Sequence, residues 1–196
     1  MIQLVKEKFD VTRLRFVLLG LLVGLMSGTV VSLFRYCIEI GLHYSRLVYR
    51  YLRIAPFVWW EWALLIGINL GLALIVARLL KREPYISGSG IPQVEGQLAG
   101  ELEMHWWSIL WRKFIGGILA LGPGLFLGRA GPSIQFGASV GQGLPAGFIL
   151  SGTDRRLLFV FGSAAGLAAA FNAPNAGTLF VLEEGYHHIS PPLCLT

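Results

Sequence analysis

The sequence predicts an all-α integral membrane protein whose helices are tilted and broken, with two Gly/Pro loops at helix N-termini. Three observations carry this. Of 196 residues, 55% are hydrophobic and 14% charged, against roughly 25% charged in soluble domains, and the mean hydropathy is +0.64. Phe16 to Phe34 contains no charge, enough to cross about 30 Å of hydrocarbon. Later apolar stretches are cut by Gly, Pro and Asn, a pattern suited to discontinuous helices lining a binding site at membrane depth.

The elements follow in order. Residues 1–15 carry Lys6, Lys8, Arg13 and Arg15, a basic lead-in, with residues 1–12 assigned to the cytoplasm. These charges, and an apolar run too long for a signal h-region, argue against a cleavable signal peptide. The first span begins at Phe16 and continues past Arg35 and Glu39 to about Arg53, long and tilted. Within it Gly20, Gly24 and Gly28 fall on one helix face. That stripe suits close helix contact, either within the subunit or between subunits. Pro56 ends the pattern, and Trp59, Trp60 and Trp62 form an interfacial aromatic belt. A second span, Trp62 to Ala77, ends at Arg78, Lys81 and Arg82. Positive-inside counting favours a cytoplasmic N-terminus and a cytoplasmic end to this span, a weak bias because Arg46, Arg50 and Arg53 sit on the opposite side.

Ser87-Gly88-Ser89-Gly90-Ile91-Pro92 then opens a short polar helix, and Trp106 and Trp107 mark another interface. Lys113 and Arg129 bracket a third apolar run, broken at Gly122-Pro123-Gly124. The loop Gly128-Arg129-Ala130-Gly131-Pro132 repeats the first device, with Pro in the first helical turn. Residues 130–153 are uncharged but rich in Gly, Ser and Gln, so they are expected as a short helix buried in protein. Asn172-Ala173-Pro174 divides residues 157–182 into two helices, closed by Glu183 and Glu184.

The net charge of +5 is assigned to loops facing anionic headgroups, not to nucleic acid. Cys37 and Cys194 offer no disulfide framework and no metal motif. Ser89 has two readings, an anion donor or an ordinary cap. Arg129 is either a cationic rim or a side chain reaching water. Glu183 and Glu184 are either carboxylates held at membrane depth or a helix end in water. Glu183, Glu184, His187 and His188 lack further metal ligands, no arrangement of nucleophile, base and oxyanion donors is visible, and neither Gly loop has a Walker lysine. An enzyme is not expected, and no cofactor is implied.

Taken together, the motifs resemble those of the CLC family of chloride channels and chloride/proton exchangers. They are GSGIP at 88–92, KFIGGILALGPGLFLGRAGPSIQFGASVGQ at 113–142 and GSAAGLAAAFNAPNAGTLFVLEE at 162–184. The resemblance runs over roughly residues 12–192. It implies a single transmembrane domain over residues 1–196, the first half of an inverted-repeat fold of about twice this length. It implies that Ser89 binds the central chloride through its hydroxyl, and that backbone N–H groups around Gly88, Gly90, Ile91, Arg129, Ala130 and Gly131 face the same anion. Glu184, with Glu183 beside it, would match the inner proton-relay glutamate. Chloride and the bilayer are the implied partners, with a homodimer where the full fold is present.

Two departures shape the expectation. Ala130 stands where the family has its gating glutamate, so a pore built on this segment is expected to pass chloride passively, uncoupled from protons. The family's second half is missing from this sequence, which is read as truncated and as inactive if alone. The alternative is a non-transporting membrane fragment or interaction subunit that needs a second chain.

Overall fold

The computed structural model describes residues 2–54, 58–125, 128, 130–148, 150–180 and 183, with side-chain surroundings from residue 14 onward except at 178 and 180. Among the described residues seven α-helices follow one another: α1 (Ile2–Ile54), α2 (Trp59–Arg82), α3 (Ile91–Ala99), α4 (Trp106–Leu121), α5 (Ala130–Gly143), α6 (Gly152–Phe171) and α7 (Pro174–Phe180). There are no strands among the described residues. The helical breaks fall where Pro, Gly and Asn predict them. α4 stops before Gly122-Pro123-Gly124. α6 ends at Asn172, whose left-handed φ of 53° closes the helix as a C-terminal turn. α1 runs unbroken past Arg35 and Glu39 and is 53 residues long.

α5 is the centre of the molecule. Every residue from Gly131 to Gly141 is buried, although this helix is polar and small by composition. Its surroundings explain why. Ile134 and Ala138 pack with Val94 and Leu98 of α3 and Phe159 and Val160 of α6. On another side Phe136 meets Val31, Phe34 and Ile38 of α1. The Phe34 and Phe136 rings are 4.8 Å apart, edge to face, a pairing that adds about 0.5–1.5 kcal/mol beyond burial. α2 differs: none of its residues is buried, and its apolar surface is free to face lipid.

Glycine sets the closeness of α5 and α6. Gly137 and Gly141 on α5 lie against Gly162 and the Leu158–Phe159 backbone on α6. A Cβ on Gly137 would overlap the Gly162 carbonyl, and a Cβ on Gly162 would overlap that of Gly137. Gly166 meets the Ser133 carbonyl in the same way. Two small-xxx-small pairs thus let two backbones touch, the geometry by which helices associate without a hydrophobic driving force. The stripe singled out on α1 does not do this. A Cβ at Gly24 or Gly28 would meet nothing within 4 Å, and one at Gly20 only the Phe161 ring edge at 3.9 Å. The packing ridge of α1 is the neighbouring one, where Leu19, Val23, Ser27, Val31, Phe34 and Ile38 are buried. Of the two readings of the glycine stripe, packing within the subunit does not hold at Gly24 and Gly28.

Arg35 sits well past the midpoint of α1. Its Nη1 donates to the Ala169 carbonyl and to Asn172 Oδ1, each at 3.0 Å. The guanidinium thereby satisfies a carbonyl of the last turn of α6, where a cation is also favoured by the helix dipole.

Replacing Gly162 by Leu should therefore separate α5 from α6 and cost at least about 3 kcal/mol, the upper end of usual overpacking penalties. Gly24→Ala and Gly28→Ala should be neutral or slightly stabilising, since a helical Ala is about 0.5–1 kcal/mol better than Gly. Thermal melting of detergent-purified variants, followed by size-exclusion fluorescence, reads both; equal losses at Gly24 and Gly162 would contradict the packing described.

Candidate functional site: two helix N-termini joined through backbone

The first loop is shaped by two glycines with left-handed backbone, Gly88 at φ 67° and Gly90 at φ 90°. Residues with a Cβ rarely adopt such angles, and the turn they make starts α3 at Ile91. Gly90 is the N-cap of α3 and so brings no capping side chain. Ser89, between them, is exposed. Its Oγ accepts from the Ile91 N–H at 3.4 Å, which leaves the hydroxyl proton to donate outward.

The second loop leads into α5, whose first residue is Ala130, half-buried. Gly131 follows and is buried against the Ser89 backbone: a Cβ there would overlap the Ser89 carbonyl and lie 2.7 Å from its Cα. The N-termini of α3 and α5 thus converge on one spot, held together main chain to main chain. The first turn of any helix leaves N–H groups without intrahelical partners, and two such turns with their dipoles make a place for an anion.

Two side chains build the floor beneath the first loop. Lys113, buried inside α4, donates through Nζ to the Gly88 carbonyl at 3.3 Å. Gln135 of α5, also buried, donates through Nε2 to the Tyr85 carbonyl at 3.0 Å. A Cβ added to Gly90 would fall 2.8 Å from Gln135 Oε1 and 2.9 Å from Lys113 Nζ. Gly90 is therefore seated between an amide and an ammonium. Gln135 Oε1 is buried without a hydrogen-bond partner, and among the described residues no carboxylate forms an ion pair with Lys113. The ammonium adds positive potential directly behind the loop.

The entry to this loop is pinned as well. Glu83 Oε2, at the end of α2, accepts from Arg112 Nη1 at 2.7 Å and from Ser108 Oγ at 2.6 Å. This ion pair is only partly exposed and ties α2 to α4 one residue before the 3-10 turn Pro84–Ile86.

The structure thus brings together Gly88, Ser89, Gly90 and Ile91 with Ala130 and Gly131. Arg129 and Glu184 lie outside the described residues. Glu183 is exposed and forms no ion pair with another described residue. Lys113 opens the charge-free run 114–128, and the structure places it inside α4 with its side chain buried. Its signal was a cation beside Arg112 and otherwise among apolar residues, which at membrane depth is a functional pointer in itself. Gln135 had a weaker signal, an amide in an uncharged helix.

A family model described as voltage gated chloride channel matches residues 71–196. The chain belongs to the voltage gated chloride channel family. The H(+)/Cl(-) exchange transporter ClcA of Vibrio cholerae serotype O1, found alike in strains ATCC 39541, M66-2 and ATCC 39315, is 40% identical over 178 residues. That alignment covers 89% of this chain and 37% of the transporter. The crystal structure of a slow cyanobacterial Cl-/H+ antiporter superposes with a TM-score of 0.80 at 37% identity, covering 91% of this chain and 41% of the antiporter. The named relatives are transporters, not enzymes, and like other family members this is a multi-pass, all-helical membrane protein. The chain spans well under half the length of the relatives it matches.

Because Gly90 combines φ 90° with a full cradle, Gly90→Ala should lower stability by about 1–3 kcal/mol. Ala at exposed Gly128, where a Cβ meets nothing within 4 Å, should not. Melting midpoints of the two variants in the same detergent make the comparison.

Proposed function

We propose that this chain forms the N-terminal half of a chloride-conducting unit in the cell membrane, with residues 1–196 as one transmembrane half domain. Chloride is held between the N-termini of α3 and α5 by the Ser89 hydroxyl and by main-chain N–H groups around Gly88–Ile91 and Arg129–Gly131. The observation that carries this reading is the contact of Gly131 with the Ser89 backbone, which aims two positive helix ends at one point. Lys113 reinforces them from behind the loop.

Transport is passive and uncoupled from protons. A carboxylate on the first residue of α5 would be drawn to the same helix ends as the anion, and would exchange protons. The methyl group of Ala130 does neither. Glu184, with Glu183 beside it, remains as an inner carboxylate with no outer partner to receive its proton. The relatives' names describe an exchange transporter and an antiporter; the proposal assigns this chain a leak in place of exchange. The remaining donors to the anion come from a second half, on this or another polypeptide, and the complete unit is a homodimer.

Two assays test this. Chloride efflux from proteoliposomes should proceed without proton movement, and Ala130→Glu in the complete unit should slow efflux at neutral pH by about tenfold or more, easing as pH falls and the carboxylate is neutralised. Uphill proton movement driven by a chloride gradient in the unaltered protein would overturn uncoupling. An unchanged flux in Ala130→Glu would remove this loop from the pore. Absence of flux with every second half would favour the alternative, a subunit that packs but does not conduct.

A further inference from the structure

A second cavity lies away from the paired loops, where α3, the C-terminal end of α5 and the first turns of α6 meet the start of α4. Its volume is about 320 Å³, at the lower end of what small-molecule sites occupy. Two guanidiniums, Arg155 and Arg156, line it, together with the Gln97 amide. No carboxylate does. Asp154 in the same helix and Glu101 and Glu103 in the α3–α4 linker are outside the lining. Both arginines are exposed, and among the described residues neither forms an ion pair. The deeper wall is apolar: Leu98 and Phe159 are buried, and the Trp106 indole closes one side.

Its level in the membrane is argued from the aromatic and basic residues around it. Trp106 stacks edge to face on Trp107, ring centres 5.5 Å apart, and Trp107 is exposed. Such indoles settle at the headgroup boundary. The same end of α4 is tied through Ser108 and Arg112 to Glu83, directly after Lys81 and Arg82. The cavity therefore opens at the basic end of α2, the side that positive-inside counting gives to the cytoplasm, whose leaflet carries anionic lipid.

We infer that this cavity is a binding site for an anionic phospholipid, its phosphodiester between Arg155 and Arg156 and its glycerol and upper acyl chain on Leu98, Phe159 and Trp106. A planar guanidinium pairs with phosphate through two parallel hydrogen bonds, and two of them outbid the single charge of a free anion only when an apolar wall takes up the tail. A bound lipid would brace α6 against α3 and α5, the helices that carry the paired loops.

The test is native mass spectrometry of the 196-residue chain in detergent, titrated with dioctanoyl-phosphatidylglycerol, dioctanoyl-phosphatidylcholine or inorganic phosphate. Phosphatidylglycerol should bind about tenfold more tightly than phosphatidylcholine. R155Q/R156Q should reduce it to the phosphatidylcholine level, R155K/R156K should retain only part of it because an ammonium cannot pair bidentately, and K81Q/R82Q should leave it unchanged. Equal binding of the two lipids, or unimpaired binding by R155Q/R156Q, would overturn the site. Inorganic phosphate competing as well as phosphatidylglycerol would overturn the lipid assignment in favour of a plain anion pocket.

Discussion

Backbone touching backbone is the interaction on which everything else here depends. At Gly131 the main chain of α5 rests on that of Ser89, and at Gly137 and Gly162 two helices meet carbonyl to Cα. Neither contact leaves room for a methyl group. In a bilayer the usual reward for burying apolar side chains is small, because lipid is as apolar as they are, and close van der Waals approach takes its place. That explains why the central helix of the fold, α5, is built of Gly, Ala, Ser and Gln and yet is the most deeply buried.

The same economy shapes the paired loops. Side chains do little of the direct work there; they hold the main chain in position. Lys113 grips one carbonyl, Gln135 another, and Gly88 and Gly90 accept backbone angles that other residues avoid. The result is a polar spot assembled from peptide groups and held in place by the fold itself; were it to bind an ion as proposed, little reorganisation would be required. Under the proposed function, a change of side chain at Ala130, the first residue of α5, would alter what the spot does while the main-chain contacts that build it stay as they are.

Much of this was legible from the residues. Charge-free stretches and Pro/Gly/Asn breaks marked where helices run and stop, because those are local effects: Gly122–Gly124 and Asn172–Pro174 end helices whatever surrounds them. The two loops were legible for the same reason. Which glycines pack was not. Gly20, Gly24 and Gly28 make as good a small-residue stripe as Gly137 and Gly141 or Gly162 and Gly166, and spacing alone does not say which face meets a partner. That Lys113 lies buried inside a helix was not legible either, because the Gly88 carbonyl that receives its ammonium is twenty-five residues away in sequence. Gln135 could be placed only once Tyr85 and Gly90 were seen beside it.

Arg35 adds a consequence for how the protein is made. Its partners on α6 lie 134 and 137 residues downstream. At about 5–20 residues per second of synthesis, α1 must wait roughly 7–27 s after emerging before Ala169 and Asn172 exist. During that interval a bare guanidinium sits within a helix that is otherwise ready for lipid, a costly arrangement. The insertion machinery, or local water drawn to the charge, has to shelter it. The longest helix of the fold is thus the first to be synthesised, while the partners that satisfy its Arg35 are made only with α6.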